Sequence, residues 1–186
     1  TGWPIPGVAV RVVDTAGQDV RPDGEQIGEI VVRGNTVMLG YYRDPDATAM
    51  AIRDGWLHTG DMATLDEEGY VLIKDRSKDV IIRGGENISS VDIENALAAH
   101  PAVLECAVVA APDERFGEVP VALVVLKPGA TATARELKAH CRAHLARFKV
   151  PHAFYFRDAL PKGGTGKILK TELREPFWKG FAARVH

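Results

Sequence analysis

The sequence predicts an α+β protein in two parts, a β-rich stretch over residues 1–75 and a small α+β domain over residues 76–186. Three observations carry this. The first part is made of short apolar runs cut by Gly, Pro and Asp. The second alternates two helical patterns with β-branched runs. Charge changes sign between them: residues 1–75 hold 6 Lys/Arg against 13 Asp/Glu, net -7, and residues 76–186 hold 17 against 12, net +5.

In the first part, a Pro-rich lead reaches Val8-Ala9-Val10-Arg11-Val12, whose alternation marks a half-buried strand ended by the turn Asp14-Thr15-Ala16-Gly17. Glu29-Ile30-Val31-Val32-Arg33-Gly34 repeats the pattern, and residues 45–52 have helical character. After Gly55-Trp56-Leu57-His58-Thr59-Gly60-Asp61, the turn Asp66-Glu67-Glu68-Gly69 leads into a last strand, Tyr70-Val71-Leu72-Ile73-Lys74. Starting mid-pattern, this part reads as a piece of a larger β subdomain. Residues 75–90 form the junction, where composition, periodicity and charge change together.

Beyond it, Ser89 stands three residues before Asp92 in a capping-box-like helix start, with Ile93, Ala96 and Leu97 on one face and Pro101 as the stop. Residues 104–110 and 119–126 read as buried strands joined by a loop over 113–118. Thr133 and Glu136 form a second capping box, followed by Leu137, Cys141, Leu145 and Phe148 near helical period, so that one face of that helix is core. Ala153-Phe154-Tyr155-Phe156 is a final short strand.

At 186 residues and 46% hydrophobic content, the chain can bury one substantial core or two small ones. No apolar run nears the roughly 20 residues that span a bilayer, and no basic region with a hydrophobic segment opens the chain, so no transmembrane segment is expected. Cys106 and Cys141 are too few for a disulfide framework, which points to a reducing compartment, the cytoplasm. The +5 of the second part fits an anionic ligand as well as it fits two solvated faces of opposite sign; nothing points to nucleic acid.

Gly163-Gly164-Thr165-Gly166-Lys167-Ile168 superficially suggests a phosphate-binding P-loop. That motif needs Gly where Pro161 stands and Ser or Thr where Ile168 stands, so what remains is a glycine-permitted loop ending in a cation. Thr59-Gly60-Asp61 reads as a tight turn that presents a carboxylate to ligand hydroxyls or caps itself. Arg83-Gly84-Gly85-Glu86-Asn87 reads first as a Gly-Gly hairpin turn. His140 and His144 are spaced i, i+4 but lack a neighbouring Glu and a third ligand nearby in sequence, and Asn87-Ile88-Ser89 matches a glycosylation pattern by chance.

The order of these stretches is more informative than any one of them. Gly40-Tyr41-Tyr42, Gly55-Trp56-Leu57-His58-Thr59-Gly60-Asp61, Asp75-Arg76-Ser77-Lys78-Asp79, Gly84-Gly85-Glu86-Asn87-Ile88 and Pro161-Lys162-Gly163-Gly164-Thr165-Gly166-Lys167 run in register. Together they resemble the C-terminal portion of the acyl-activating (adenylate-forming, AMP-binding) enzymes, closest to fatty-acyl-CoA synthetases. The resemblance implies that residues 1–75 are the last β-rich subdomain of a large N-terminal domain. Residues 76–186 would then be the mobile C-terminal α+β domain, hinged near 75–78. It also implies that the phosphate loop, the acyl pocket and the glutamate that helps hold Mg2+ lie in the missing N-terminal domain, so that this stretch by itself is inactive and binds no metal.

By the same resemblance, the whole enzyme is a carboxylate:CoA ligase, with a fatty acid the first choice of substrate, ATP and coenzyme A as cofactors, and rotation between two half-reactions. Asp61 matches the residue that binds the AMP ribose, Arg76 the arginine that assists it, and Lys78 the pivot. Lys167 matches the lysine of adenylation. Gly84, Gly85 and Glu86 match the loop that lines the pantetheine channel. Lys149 lies in a region that contacts the CoA nucleotide in some relatives, although Val150 replaces a basic residue some of them carry there. A long-chain substrate would bring peripheral membrane contact. The alternatives are an adenylation domain that loads a carrier protein, although residues 178–186 show no serine-bearing attachment site, and a non-catalytic nucleotide- or CoA-binding module.

Overall fold

The computed structural model describes residues 1–181. The chain is α+β and divides into two compact units, Thr1–Lys78 and a second from Asp79 onward. In the first, β1 (Val8–Val13), β2 (Gly28–Gly34) and β4 (Trp56–Leu65) are neighbours in one antiparallel sheet. Both β3 (Ile52–Arg53) and β5 (Val71–Arg76) pair with β4. A short helix α1 (Pro45–Ala51) starts where the Asp44 carboxylate accepts the Ala47 amide at 2.9 Å with Pro next in line, and it buries no residue. The buried cluster of this unit is small: Val12, Val20, Ile30, Ala63 and Val71.

The second unit is built on a long hairpin, β8 (Val103–Asp113) and β9 (Gly117–Leu126), paired antiparallel. Strand β10 (Ala153–Phe156) joins β9 in parallel on the edge away from β8, and β6 (Ile81–Arg83) meets that same edge at Gly117 and pairs in turn with β7 (Glu86–Ile88). Side chains alternate across the pleat. Val108, Ala110, Ala122 and Val124 pack on one face with Ile93 and Leu97 of α2 (Ser90–Ala98) and Leu137 and Cys141 of α3 (Ala134–His144). Ala107, Val109, Val121 and Leu123 pack on the other with Leu160 and with Leu173 and Phe177 of α4 (Lys170–Trp178). Cover on both faces explains why β8 and β9 read as continuous apolar runs rather than alternating ones.

The helix starts follow the sequence signals. Ser89 Oγ accepts the Asp92 amide at 3.3 Å. In α3 the box is reciprocal: Thr133 Oγ1 accepts the Glu136 amide at 3.2 Å, and Glu136 Oε2 accepts the Thr133 amide at 2.8 Å, which holds the Glu136 carboxyl below its usual range. The apolar period misleads at its end. Helix α3 stops at His144, Leu145 is its cap, and Phe148 lies in a separate 3-10 turn, Arg147–Lys149, where it is 37% exposed rather than core. Helix α4, with Pro176 inside it, had no clear start signal: Leu169 caps it without a side-chain hydrogen bond.

No described helix is long and apolar enough to cross a membrane. Both thiols are free and sit in or against the same core. Burial, reinforced by the Glu94 carboxylate, pushes Cys106 up to about 12; burial alone pushes Cys141 up to about 11. Both therefore stay protonated and unreactive at pH 8 while the protein is folded. We expect no reaction with a disulfide-exchange reagent at that pH until denaturant is added, when two thiols titrate. Because an unfolded thiol ionises near 9.0 and these do not, folding stability contributed by the two groups is full below pH 9.0 and declines as pH rises from there towards 12.

Candidate functional site

Asp61 and Arg76 face each other across β4 and β5, and Arg76 Nε lies 3.2 Å from Asp61 Oδ1. Thr59-Gly60-Asp61 is not the tight turn that its composition suggests. It lies inside β4, where the pairing with β2 shifts register between Glu29 and Val31. Three residues of β4 thus bulge opposite Ile30 alone. Gly60 has φ +72, the left-handed region that favours glycine, and its carbonyl accepts the Ser77 amide at 2.7 Å. Thr59 Oγ1 donates to the Ile30 carbonyl at 2.8 Å and accepts the Asp61 amide at 3.1 Å.

One residue that the motifs did not single out fixes this bulge. The Glu29 carboxylate accepts the Gly60 amide through Oε1 at 2.9 Å and meets His58 Nδ1 through Oε2 at 2.7 Å. Each hydrogen bond to a charged group of this kind is worth about 1.5–3 kcal/mol. The Asp61–Arg76 pair itself is 38% and 57% exposed at its side chains and worth at most about 1 kcal/mol. The backbone beneath Asp61 is therefore firmly held, while its carboxylate can exchange partners at little cost. Lys78 is exposed in the turn that follows β5.

In the second unit, β6 and β7 form a hairpin whose two turn residues, Gly84 and Gly85, have φ +58 and +89. A primed two-residue turn demands such values. Glu86 opens β7 and is exposed. The hairpin is anchored by the fully buried Glu118, whose Oε2 accepts the Ile82 amide at 2.9 Å, and by the Gly84 amide donating to the Phe116 carbonyl at 2.8 Å. Neither anchor was legible from local pattern.

Lys167 stands on the exposed arm of a small hairpin. Lys162 pairs with Ile168, and the Gly163 amide donates to the Lys167 carbonyl at 2.8 Å. The Gly166 amide closes the turn onto the Gly163 carbonyl at 2.9 Å. Lys167 is exposed and has no ion-pair partner among the described residues. Lys149, by contrast, is paired with Asp92, Nζ to Oδ2 at 2.6 Å. His140 and His144 make backbone contacts: His140 Nε2 lies 2.9 Å from the Ala96 carbonyl, and His144 Nδ1 lies 2.8 Å from that of His140.

A basic cavity of about 470 Å3 lies beside the β6–β7 hairpin. Lys138, Arg142, Arg147 and Arg83 supply its cations, with Phe116 and Phe148 as its aromatic walls. Arg83 lies over the Phe116 ring at 4.3 Å and donates to the Phe148 carbonyl at 3.1 Å. Asp113 orients Phe116: its carboxylate accepts the amides of Phe116 and Arg115 at 2.9 and 3.0 Å, and the Phe116 amide foremost holds its carboxyl below the usual range. Lys138 and Arg142, four apart on α3, were the one part of this cavity with a signal in the sequence, a cationic stripe at helical spacing.

Comparison with known proteins follows the same order along the chain. The AMP-binding enzyme model matches residues 1–42, and the AMP-binding enzyme C-terminal domain model matches residues 92–167. A 2-methylpropanoate–CoA ligase of Humulus lupulus is 51% identical over 170 residues, 89% of this chain and 31% of that protein. A fatty acid–[acyl-carrier-protein] ligase, ScoC, of Streptomyces coeruleorubidus is 44% identical over 185 residues, 100% of this chain and 35% of that protein. Among solved structures, ATP-bound MatB from Rhodopseudomonas palustris matches with a TM-score of 0.87 at 39% identity, covering 96% of this chain and 35% of that one. The chain spans about a third of the length of these relatives. It belongs to the AMP-binding, adenylate-forming enzyme family and corresponds to the C-terminal portion of such an enzyme.

Proposed function

We propose that this chain is the C-terminal part of an ATP-dependent acid:CoA ligase. In the first half-reaction a carboxylate attacks the α-phosphorus of ATP, giving acyl-adenylate and pyrophosphate. In the second, the coenzyme A thiol attacks the acyl carbon and releases AMP. The observation that carries the choice of coenzyme A is the basic cavity beside Gly84 and Gly85: four cations and two aromatic rings suit a nucleotide bearing several phosphates. Lys149 is engaged by Asp92, so Arg142 and Arg147 take the larger share of that contact.

The remaining roles follow the chemistry of each group. Asp61 is a carboxylate with spare acceptor capacity, held on a fixed bulge, and accepts from the vicinal hydroxyls of a ribose while Arg76 orients it. Lys167 supplies an ammonium to the oxygens of the α-phosphate, where negative charge grows during adenylation. Gly84, Gly85 and Glu86 flank the path of the pantetheine arm, and two glycines let a narrow thiol chain pass close to backbone. Residues 1–75 serve as the last subdomain of the larger domain and residues 76–186 as the part that turns about Lys78 between the half-reactions. Mg2+, the phosphate loop and the acyl pocket belong to the part of the enzyme outside this chain.

A fatty acid is the preferred substrate in this reading, with branched or aryl acids as the alternative; the named acids of the two relatives, 2-methylpropanoate and a fatty acid, span that choice. The relative named for acyl-carrier protein supports a second reading, transfer to a carrier-borne thiol. The cytoplasm is the proposed setting, in keeping with two free thiols.

Three outcomes test these assignments in the whole enzyme. Lys167→Ala lowers ATP–pyrophosphate exchange by about 100-fold or more and leaves thioester formation from supplied acyl-adenylate within about threefold; equal loss in both half-reactions would remove Lys167 from adenylation. Lys78→Pro, by fixing φ, slows thioester formation more than adenylation, and unchanged thioester kinetics would end the pivot assignment. Arg142→Ala with Arg147→Ala raises KM for coenzyme A about tenfold or more while leaving KM for pantetheine, which lacks the nucleotide, unchanged. An unaltered KM for coenzyme A would favour the carrier-borne thiol.

A further inference from the structure

The hairpin that bears Lys167 is tied down by charge on both shoulders. On one side, Lys162 Nζ lies 2.6 Å from Glu105 Oε2 of β8. On the other, Lys170 Nζ lies 2.7 Å from Glu94 Oε1 of α2 and donates to Ser90 Oγ at 2.6 Å. Between these points, the Leu169 amide donates to the Pro161 carbonyl at 2.9 Å, Leu160 is buried, and Ile168 packs against the same cluster. Two lysines with carboxylate partners thus bracket a third that has none among the described residues.

The two ties are not equal. Lys162 and Glu105 are 44% and 24% exposed at their side chains, so water screens much of that pair. Lys170 and Glu94 are 17% and 19% exposed. The Glu94 carboxylate is itself fixed, because Oε1 also accepts the Val108 amide of β8 at 2.7 Å. Lys170 is therefore locked to a point shared by α2 and the central hairpin, three residues beyond Lys167 and at the first turn of α4. A cation there is disfavoured by the helix dipole, so local helix energetics do not account for it. Its carboxylate and hydroxyl partners hold it there.

We propose that Lys170 is a positioning residue for adenylation, with Glu94 and Ser90 as its seat: it sets where the Lys167 ammonium stands by fixing the C-terminal arm of the Lys167 hairpin. The inference rests on the reading of Lys167 given above. Misplacement of a reacting or stabilising group by about 1 Å is enough to cost about 100-fold in rate, so a tie of this kind has kinetic weight without touching substrate.

The test compares Lys170→Met, Lys170→Arg and Glu94→Gln in the whole enzyme, with Lys167→Ala alongside. Lys170→Met is expected to lower kcat for ATP–pyrophosphate exchange by about tenfold to 100-fold with KM for ATP within about twofold, and to leave thioester formation from supplied acyl-adenylate intact. Lys170→Arg, which keeps a donor for Glu94, restores most of the exchange rate. Glu94→Gln, a milder change that retains the Val108 contact, shows a smaller loss of the same kind. In parallel, amide hydrogen exchange over residues 160–170 speeds up in Lys170→Met. Unchanged exchange kinetics for pyrophosphate in Lys170→Met, or equal loss in both half-reactions, overturns the proposal. If Lys167→Ala keeps full adenylation, the reading of Lys167 fails and this inference with it, and that result is distinct from a normal Lys170→Met beside an inactive Lys167→Ala, which overturns the positioning role alone.

Discussion

Burial of β8 and β9 on both faces is the constraint from which the second unit follows. Where that hairpin is buried, its backbone groups must find partners on neighbouring elements. Strand β10 pairs along Val121 to Val124, and β6 touches at Arg83 and Gly117. Polar side chains add to this: Glu94 takes the Val108 amide of β8, Trp178 Nε1 donates to the Ala110 carbonyl at 2.9 Å, and Glu118 of β9 takes the Ile82 amide of β6. The hairpin at Gly84 and Gly85 and the loop at Lys167 are both hung from this frame, one through Glu118 and Phe116, the other through Glu105 and Glu94. Both loops are thus fastened to the hairpin that is buried on its two faces.

The first unit achieves the same end with a far smaller core. Five buried hydrophobic residues form its cluster, against eleven and nine in the two clusters of the second. Fixing the Gly60 bulge therefore falls to polar bonds, with Glu29 gripping one strand from the next. A strand interior with a left-handed glycine would otherwise lose its pairing at that point, and Asp61 would swing with it. The arrangement spends structural carboxylates on the backbone, at Glu29 and Glu118, and leaves Asp61 half-exposed.

Much of this was legible locally. The strands at Val8, Glu29 and Val119 follow from alternation or from β-branched runs, and helices open where Ser89 and Thr133 predict, the second with a reciprocal capping box. Where the sequence misled, a local pattern met a non-local partner. Thr59-Gly60-Asp61 has turn composition, yet Glu29, thirty-one residues before Gly60, draws it into a strand as a bulge. Phe148 keeps helical phase with Leu137, but the chain leaves the helix at Leu145 to line a cavity with Phe116. Glu118 looks like a loop residue and is fully buried, because its meaning lies in the Ile82 amide. Motif order identified the family, whereas the residues that hold each motif in place sit on other elements and carry no motif of their own.

The positive charge of the second half shows why a net figure says so little about a site. Spread evenly, +5 over 111 residues is an ordinary solvated surface. The ion pairs distribute it otherwise. Lys149, Lys162, Lys170 and Arg174 are taken up by Asp92, Glu105, Glu94 and Asp79, each within 4.0 Å. Lys138, Arg142 and Arg147 form no such pair among the described residues and converge on one cavity, with Arg83 held there by an aromatic ring and a carbonyl and acted on at longer range by the Asp113 carboxylate. Like charges brought together without counter-charge repel one another, and the cost persists in the folded protein unless an anion offsets it. A carboxylate from the chain would have served if stability were the only requirement. Among the described residues no carboxylate lines the cavity, in a unit that supplies carboxylates to four other cations, and the proposed seat for a polyanion rests on that charge pattern.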